Sequence, residues 1–170
     1  EISALAAARH VLASSAPGLR LANLLQLQHP MSVDTYIERT ARHSRLVIVR
    51  LLGGEGYWPY GLEALHAMAV THGVKLAVLP GDDKPDPGLA RFCTLAAANC
   101  GALWRYLAEG GSDNALRFLQ YAKALVSGGE KPSAAAPLMK AGLWFQPVAA
   151  SAPTASIIFY RALVQSGQTG

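Results

Sequence analysis

The chain holds 170 residues, of which 51% are hydrophobic and 15% charged, with a net charge of +4. That apolar fraction excludes intrinsic disorder, and every apolar run is cut by Arg, Gly, Pro or a charge short of the ~18 residues that a membrane span needs. A domain of this size buries roughly 70% of its unfolded surface without disulfides or a structural metal.

Residues 1–11 read as an amphipathic helix that begins on Glu1, with no signal-peptide pattern before it. The chain is therefore expected to start inside a longer reading frame. Residues 19–27 read as a first strand, residues 46–52 as the clearest strand, and residues 75–79 as a third. Each is followed by turn residues and a helical pattern, over 33–42, 59–72 and 87–98. Gly73 stands where a left-handed C-cap is expected, and Asp86 before Pro87 is an N-cap carboxylate ahead of a first-turn proline. Two more helices are expected between residues 99 and 129, the second opening at Ser112 and Asp113 with Ser112 as its cap.

Residues 130–142 are linker-like, and residues 143–148 and 156–160 are strand-like. They suggest the start of a second α/β unit over 143–170 that follows a first domain over 1–129. The alternation predicts an α/β fold, an open, mostly parallel sheet with helices on both faces, of the flavodoxin or Rossmann kind.

Cys93 and Cys100 fall seven residues apart in one expected helical region, with no CxxC pattern and no visible base, so a reduced cytoplasm is the expected home. Arg39, Arg42, Arg45 and Arg50 come closest to a basic cluster but lack interleaved aromatics, so no nucleic-acid partner is expected.

The strand over 46–52 runs into Gly53, Gly54, Glu55 and Gly56 and then a helix, the setting of a phosphate-binding loop. The third glycine of a dinucleotide fingerprint and the Gly-Lys-Ser/Thr of a P-loop are both missing, so the match is weak and a tight βα turn is the preferred reading of the glycines. Tyr57, Trp58 and Tyr60 either stack on a flat ligand or pack beneath the loop. Asp82, Asp83 and Asp86 gather carboxylates at the carboxyl end of a strand, either as Mg²⁺ ligands or as turn and cap residues. Among five histidines, His29 and His43 are the better candidates because both sit at element ends. No nucleophile elbow occurs.

Three long runs carry more specific information. The first is His29-Pro30-Met31-Ser32-Val33-Asp34-Thr35-Tyr36, followed by Arg39-Thr40-Ala41-Arg42-His43-Ser44-Arg45 and the strand ending in Gly53-Gly54. The second is Val78-Leu79-Pro80-Gly81-Asp82-Asp83-Lys84-Pro85-Asp86-Pro87-Gly88-Leu89. The third is Phe159-Tyr160-Arg161-Ala162-Leu163-Val164-Gln165-Ser166-Gly167-Gln168-Thr169. Together they resemble the amino-terminal region of the large subunit of aerobic cobaltochelatase, which is related to the magnesium chelatase large subunit.

The resemblance implies an ATP-dependent metal chelatase that inserts Co²⁺ into hydrogenobyrinic acid a,c-diamide, a corrin-type tetrapyrrole, during cobalamin biosynthesis. It implies that ATP and Mg²⁺ belong to separate AAA+ partner subunits, which fits the missing P-loop, and that no cofactor belongs to this stretch. It implies as partners the AAA+ subunits, the tetrapyrrole and the remainder of the same subunit, which is several times longer than this chain. On that basis Tyr57, Trp58, His29 and His43 are candidates for the macrocycle face and Asp82 and Asp83 for the metal. Gly53, Gly54 and Gly56 remain loop candidates. The alternatives are a small nucleotide- or phosphate-binding module and a magnesium chelatase-like subunit.

Overall fold

A computed structural model describes residues 1–13 and 18–137 of the chain. Two strands, β1 (Leu46–Leu51) and β2 (Lys75–Pro80), pair in parallel from Leu46 opposite Lys75 to Leu51 opposite Pro80. Parallel pairing demands a crossover, and α3 (Pro59–His72) supplies it. Pro59 opens α3 at a position where its missing N–H costs nothing, and Gly73 closes it in the left-handed conformation expected from the sequence.

Side chains alternate across β2, so Leu76 and Val78 enter one hydrophobic cluster while Ala77 and Leu79 enter another. The first cluster joins the sheet to α2 (Pro30–Arg39) and α3 through Val33, Ile37, Leu62 and Leu65. The second joins it to α1 (Ile2–Leu12), α5 (Ala97–Glu109) and α6 (Ser112–Ser127) through Ala8, Leu103, Tyr106, Phe118 and Leu119. A parallel sheet with helices on both faces is the architecture that the alternating pattern predicts.

Three local expectations are corrected. Residues 19–27 form no strand: Asn23 Oδ1 accepts the Leu25 N–H at 3.0 Å and turns the chain into a short 3-10 turn at Leu24–Gln26. Leu24 and Leu27 then pack on the α2–α3 cluster.

The helix expected over 87–98 is divided. Asp86 caps α4 (Pro87–Ala90) through the Gly88 and Leu89 amides, but the chain then leaves the helix and resumes only at Ala97. The residues between them cover the outer edge of β2. Thr94 Oγ1 accepts the Leu76 N–H at 2.8 Å, the Thr94 N–H donates to Leu76 O at 2.9 Å, and the Cys93 sulfur lies against Val78 N at 3.3 Å. Satisfying a buried strand edge outweighs helix continuity here.

Ser112 is the first helical residue of α6 and not its cap, since Gly111 precedes the helix without any side-chain cap. The second α/β unit expected over 143–170 and the end of the linker-like segment lie outside the described residues. Residues 131–136, still inside that segment, are tied to α5 and α6. The buried Asn114 side chain exchanges two hydrogen bonds with the Ala136 backbone, at 2.8 and 2.9 Å, and the Tyr106 hydroxyl donates to Ser133 O at 2.6 Å.

Candidate functional site

All the candidate residues from the sequence except His43 lie at the carboxyl end of the sheet or at the start of α2. The loops after β1 and β2 leave the same edge, joined by the Gly81 N–H donating to Leu51 O at 2.8 Å. Gly53 and Gly54 both have positive φ, 97° and 71°, a conformation in which an L side chain is strained. Two carboxylates border this loop. Asp86 Oδ2 would lie 3.2 Å from a Cβ at Gly54, and Glu55 is paired with Arg91 at 3.0 Å. Both carboxylates beside Gly53, Gly54 and Gly56 already have partners, Asp86 in the Gly88 amide and Glu55 in Arg91.

Arg50, noted in the sequence only as part of the basic cluster, is a cation inside an apolar strand, a signal in its own right. It points to the α5 side of the sheet, where its guanidinium donates to Pro80 O, Gly81 O and Leu107 O at 3.2, 2.9 and 3.3 Å and pairs with Glu1. Burial lowers the Arg50 pKa while Asp82 opposes that fall. Arg50 thereby fixes the turn that carries Asp82 and Asp83. Asp82 is exposed, with Oδ1 accepting the Lys84 N–H at 3.2 Å and its carbonyl accepting the Trp104 indole N–H at 3.0 Å. Asp83 is exposed beside it. No group of three or more His, Cys, Asp or Glu that could hold a metal occurs among the described residues.

Tyr57 and Trp58 point to different places. Trp58 is 5% exposed, with its indole N–H donating to Leu27 O at 2.7 Å, and it lies so close to Gly61 that a Cβ there would sit 2.0 Å from the ring. Tyr57 is 49% exposed. The Trp58–Leu27 bond, with a second from the Tyr60 hydroxyl to Asp34 at 2.8 Å, joins the beginnings of α2 and α3. This junction carries exposed Leu25, Met31, Tyr57 and Tyr60 together with His29.

His29 Nδ1 accepts the Met31 N–H at 3.2 Å, so His29 serves as the N-cap of α2. His43 lies beyond the other end of α2, about 15 Å away by helix rise, and accepts from Arg42 at 3.2 Å. The structure does not bring the two histidines together. Behind the junction, Leu27, Met31, Thr35, Tyr36 and Arg39 line a shallow open groove of about 390 Å³.

The two cysteines do not share the one helical region expected for them. Cys93 lies in the break after α4, with its sulfur 3.3 Å from Val78 N, and Cys100 lies in the first turns of α5, with its sulfur 3.9 Å from Leu95 O.

No family model matches the chain. It is 53% identical over 194 aligned residues to the aerobic cobaltochelatase subunit CobN of a Sinorhizobium species, which covers 99% of this chain and 15% of that protein. It is 45% identical over 117 residues to the CobN subunit of Pseudomonas aeruginosa, covering 69% of this chain and 9% of the relative. Its fold matches a solved structure, the catalytic subunit of cobaltochelatase from Mycobacterium tuberculosis, with a TM-score of 0.63 at 21% identity over 99% of this chain and 14% of that one. The chain thus spans about 15% of the length of the Sinorhizobium relative. No helix among the described residues is long and apolar enough to cross a membrane. With more than half of its residues shared along essentially its whole length, the chain belongs to the aerobic cobaltochelatase CobN family.

Proposed function

We propose that this chain forms part of the large subunit of an ATP-dependent cobaltochelatase, a ligase forming nitrogen–metal bonds, which inserts Co²⁺ into hydrogenobyrinic acid a,c-diamide in cobalamin biosynthesis. ATP and Mg²⁺ are used on separate AAA+ partner subunits. The 53% identity along the chain carries this reading and favours cobalt over the magnesium chelatase-like alternative. Insertion requires a base for the pyrrole N–H protons, dehydration of the metal and a held macrocycle. The polar candidates here already have structural work, His29 and Asp86 as helix caps and Asp82 in its turn. The part left to this chain is to support the macrocycle site or to form one wall of it, through the aromatic junction of Tyr57 and Tyr60.

The test uses the complete large subunit with its AAA+ partners, ATP, Co²⁺ and the macrocycle, and follows insertion by the absorbance of the product. In the wall reading, joint replacement of Tyr57 and Tyr60 by Ala raises the KM for the macrocycle about five-fold, the equivalent of losing roughly 1 kcal/mol of aromatic contact, with ATP hydrolysis unchanged. An unchanged KM assigns the chain to support alone. A subunit that inserts cobalt at the full rate after deletion of this whole stretch overturns both.

A further inference from the structure

The proposed function leaves the groove on α2 without a task. Met31, Thr35 and Arg39 follow one another at intervals of four residues and so form one stripe of that helix. Leu27 and Tyr36, both packed on the α2–α3 cluster, give the groove an apolar lining that is fixed in place. Met31 is 70% exposed and belongs also to the surface patch of Leu25, Tyr57 and Tyr60, so the groove continues from the aromatic junction.

The free charge in this groove is of one sign. Asp34 and Glu38 lie on the neighbouring stripe of α2 and are both engaged, Asp34 by the Tyr60 hydroxyl and Glu38 by Arg42. Arg39 is exposed and forms no ion pair among the described residues. Burial raises the Tyr36 pKa while the charge of Arg20 opposes the rise, which adds a second cationic influence on the same lining. A guanidinium at the end of an apolar groove suits a carboxylate, which it can hold through two parallel N–H···O bonds.

We propose that the groove is a subsite for the macrocycle, in which Arg39 holds a side-chain carboxylate of hydrogenobyrinic acid a,c-diamide while the edge of the ring lies on Leu27, Met31 and Tyr36. The inference rests on the reading of this chain as one wall of the macrocycle site. Only the a and c acids of that substrate are amides, so its other acid side chains are ionised at neutral pH. An apolar plate with an anionic rim matches an apolar groove with a cationic end. Arg39 stands two turns of helix, about 12 Å, from Met31, which sets the charge at the rim and away from the ring. The flexible thioether of Met31 can follow the contour of the plate. Arg39 is thereby a specificity-determining residue that separates an acid macrocycle from an uncharged one.

The experiment titrates the complete large subunit, without metal or ATP, with the macrocycle and with its methyl ester, and follows the absorbance of the ring. Arg39→Gln is expected to raise the Kd of the acid about five-fold, to leave that of the ester unchanged and to flatten the dependence of acid binding on NaCl. Arg39→Lys, which keeps the charge and loses the fork, falls between. A second readout uses Thr35→Cys, because residues 21–39 form one tryptic peptide with no other cysteine. Maleimide is expected to label that peptide in the free subunit and to be excluded by saturating macrocycle. Labelling only after denaturation means that protein covers the groove, and labelling that the macrocycle does not slow puts the ring elsewhere. Either result overturns the inference, as does equal weakening of acid and ester by Arg39→Gln. If the joint Tyr57 and Tyr60 variant still raises KM in that event, the wall reading stands and the groove alone falls. A wild-type subunit that binds no macrocycle overturns both.

Discussion

Trp58 and Gly61 form a single unit in which neither residue tolerates exchange alone. The indole lies over the first turn of α3, and its N–H ties that turn to Leu27 O, so the glycine three residues on must present bare backbone to the ring. A Cβ placed 2.0 Å from the ring forces either the ring or the helix to move. Gly61→Ala is accordingly expected to destabilise the chain by about 1–3 kcal/mol, despite the higher helix propensity of alanine, as measured by the urea midpoint. The sequence offered Tyr57, Trp58 and Tyr60 as one aromatic group. It could not tell which ring lies beneath the loop, because that depends on Leu27, a carbonyl thirty-one residues away at the end of a 3-10 turn.

At the scale of elements, β2 is sealed on its outer edge by Thr94 and Cys93, with no third strand among the described residues. Thr94 Oγ1 receives the Leu76 N–H and donates to Val74 O at 3.3 Å, and Cys93 serves Val78 in the same manner. Thr94→Val keeps the branched shape but removes both bonds. Leu76, fully buried, is then left with an unpaired N–H toward the edge, at an expected cost of about 1–3 kcal/mol in denaturant unfolding, while Thr94→Ser retains most of the stability.

The elements with purely local causes were legible. The apolar runs of β1 and β2, Pro59 and Gly73 at the ends of α3, and Asp86 before Pro87 all behave as their chemistry dictates. The two misread segments, 19–27 and 87–98, have apolar content compatible with the expected element. The first is turned by the Asn23 cap, which its apolar run masks, and is then held by the distant Trp58 indole at Leu27, while the second is redirected by the β2 edge.

At the scale of the whole molecule, two apolar layers enclose the sheet, and residues 131–136 close one of them. Asn114 is the group that decides this closure. It is 3% exposed, its amide donates to Gly110 O at 2.7 Å and to Ala136 O at 2.8 Å, and its carbonyl accepts the Ala136 N–H. Around it the Tyr106 hydroxyl and Arg117 hold Ser133 O and Ala134 O, and Lys131 and the Tyr121 hydroxyl share Asn99 Oδ1. A buried amide satisfied on both sides is costly to remove because its former partners stay buried. Asn114→Ala is therefore expected to lose about 2–3 kcal/mol of stability. The loss of Ala136 amide protection in hydrogen exchange should exceed that of the β2 amides, because the covering segment detaches before the sheet opens. Equal loss at both places would mean that residues 131–136 and the sheet unfold as one unit, and that the segment is as much a part of the core as β2.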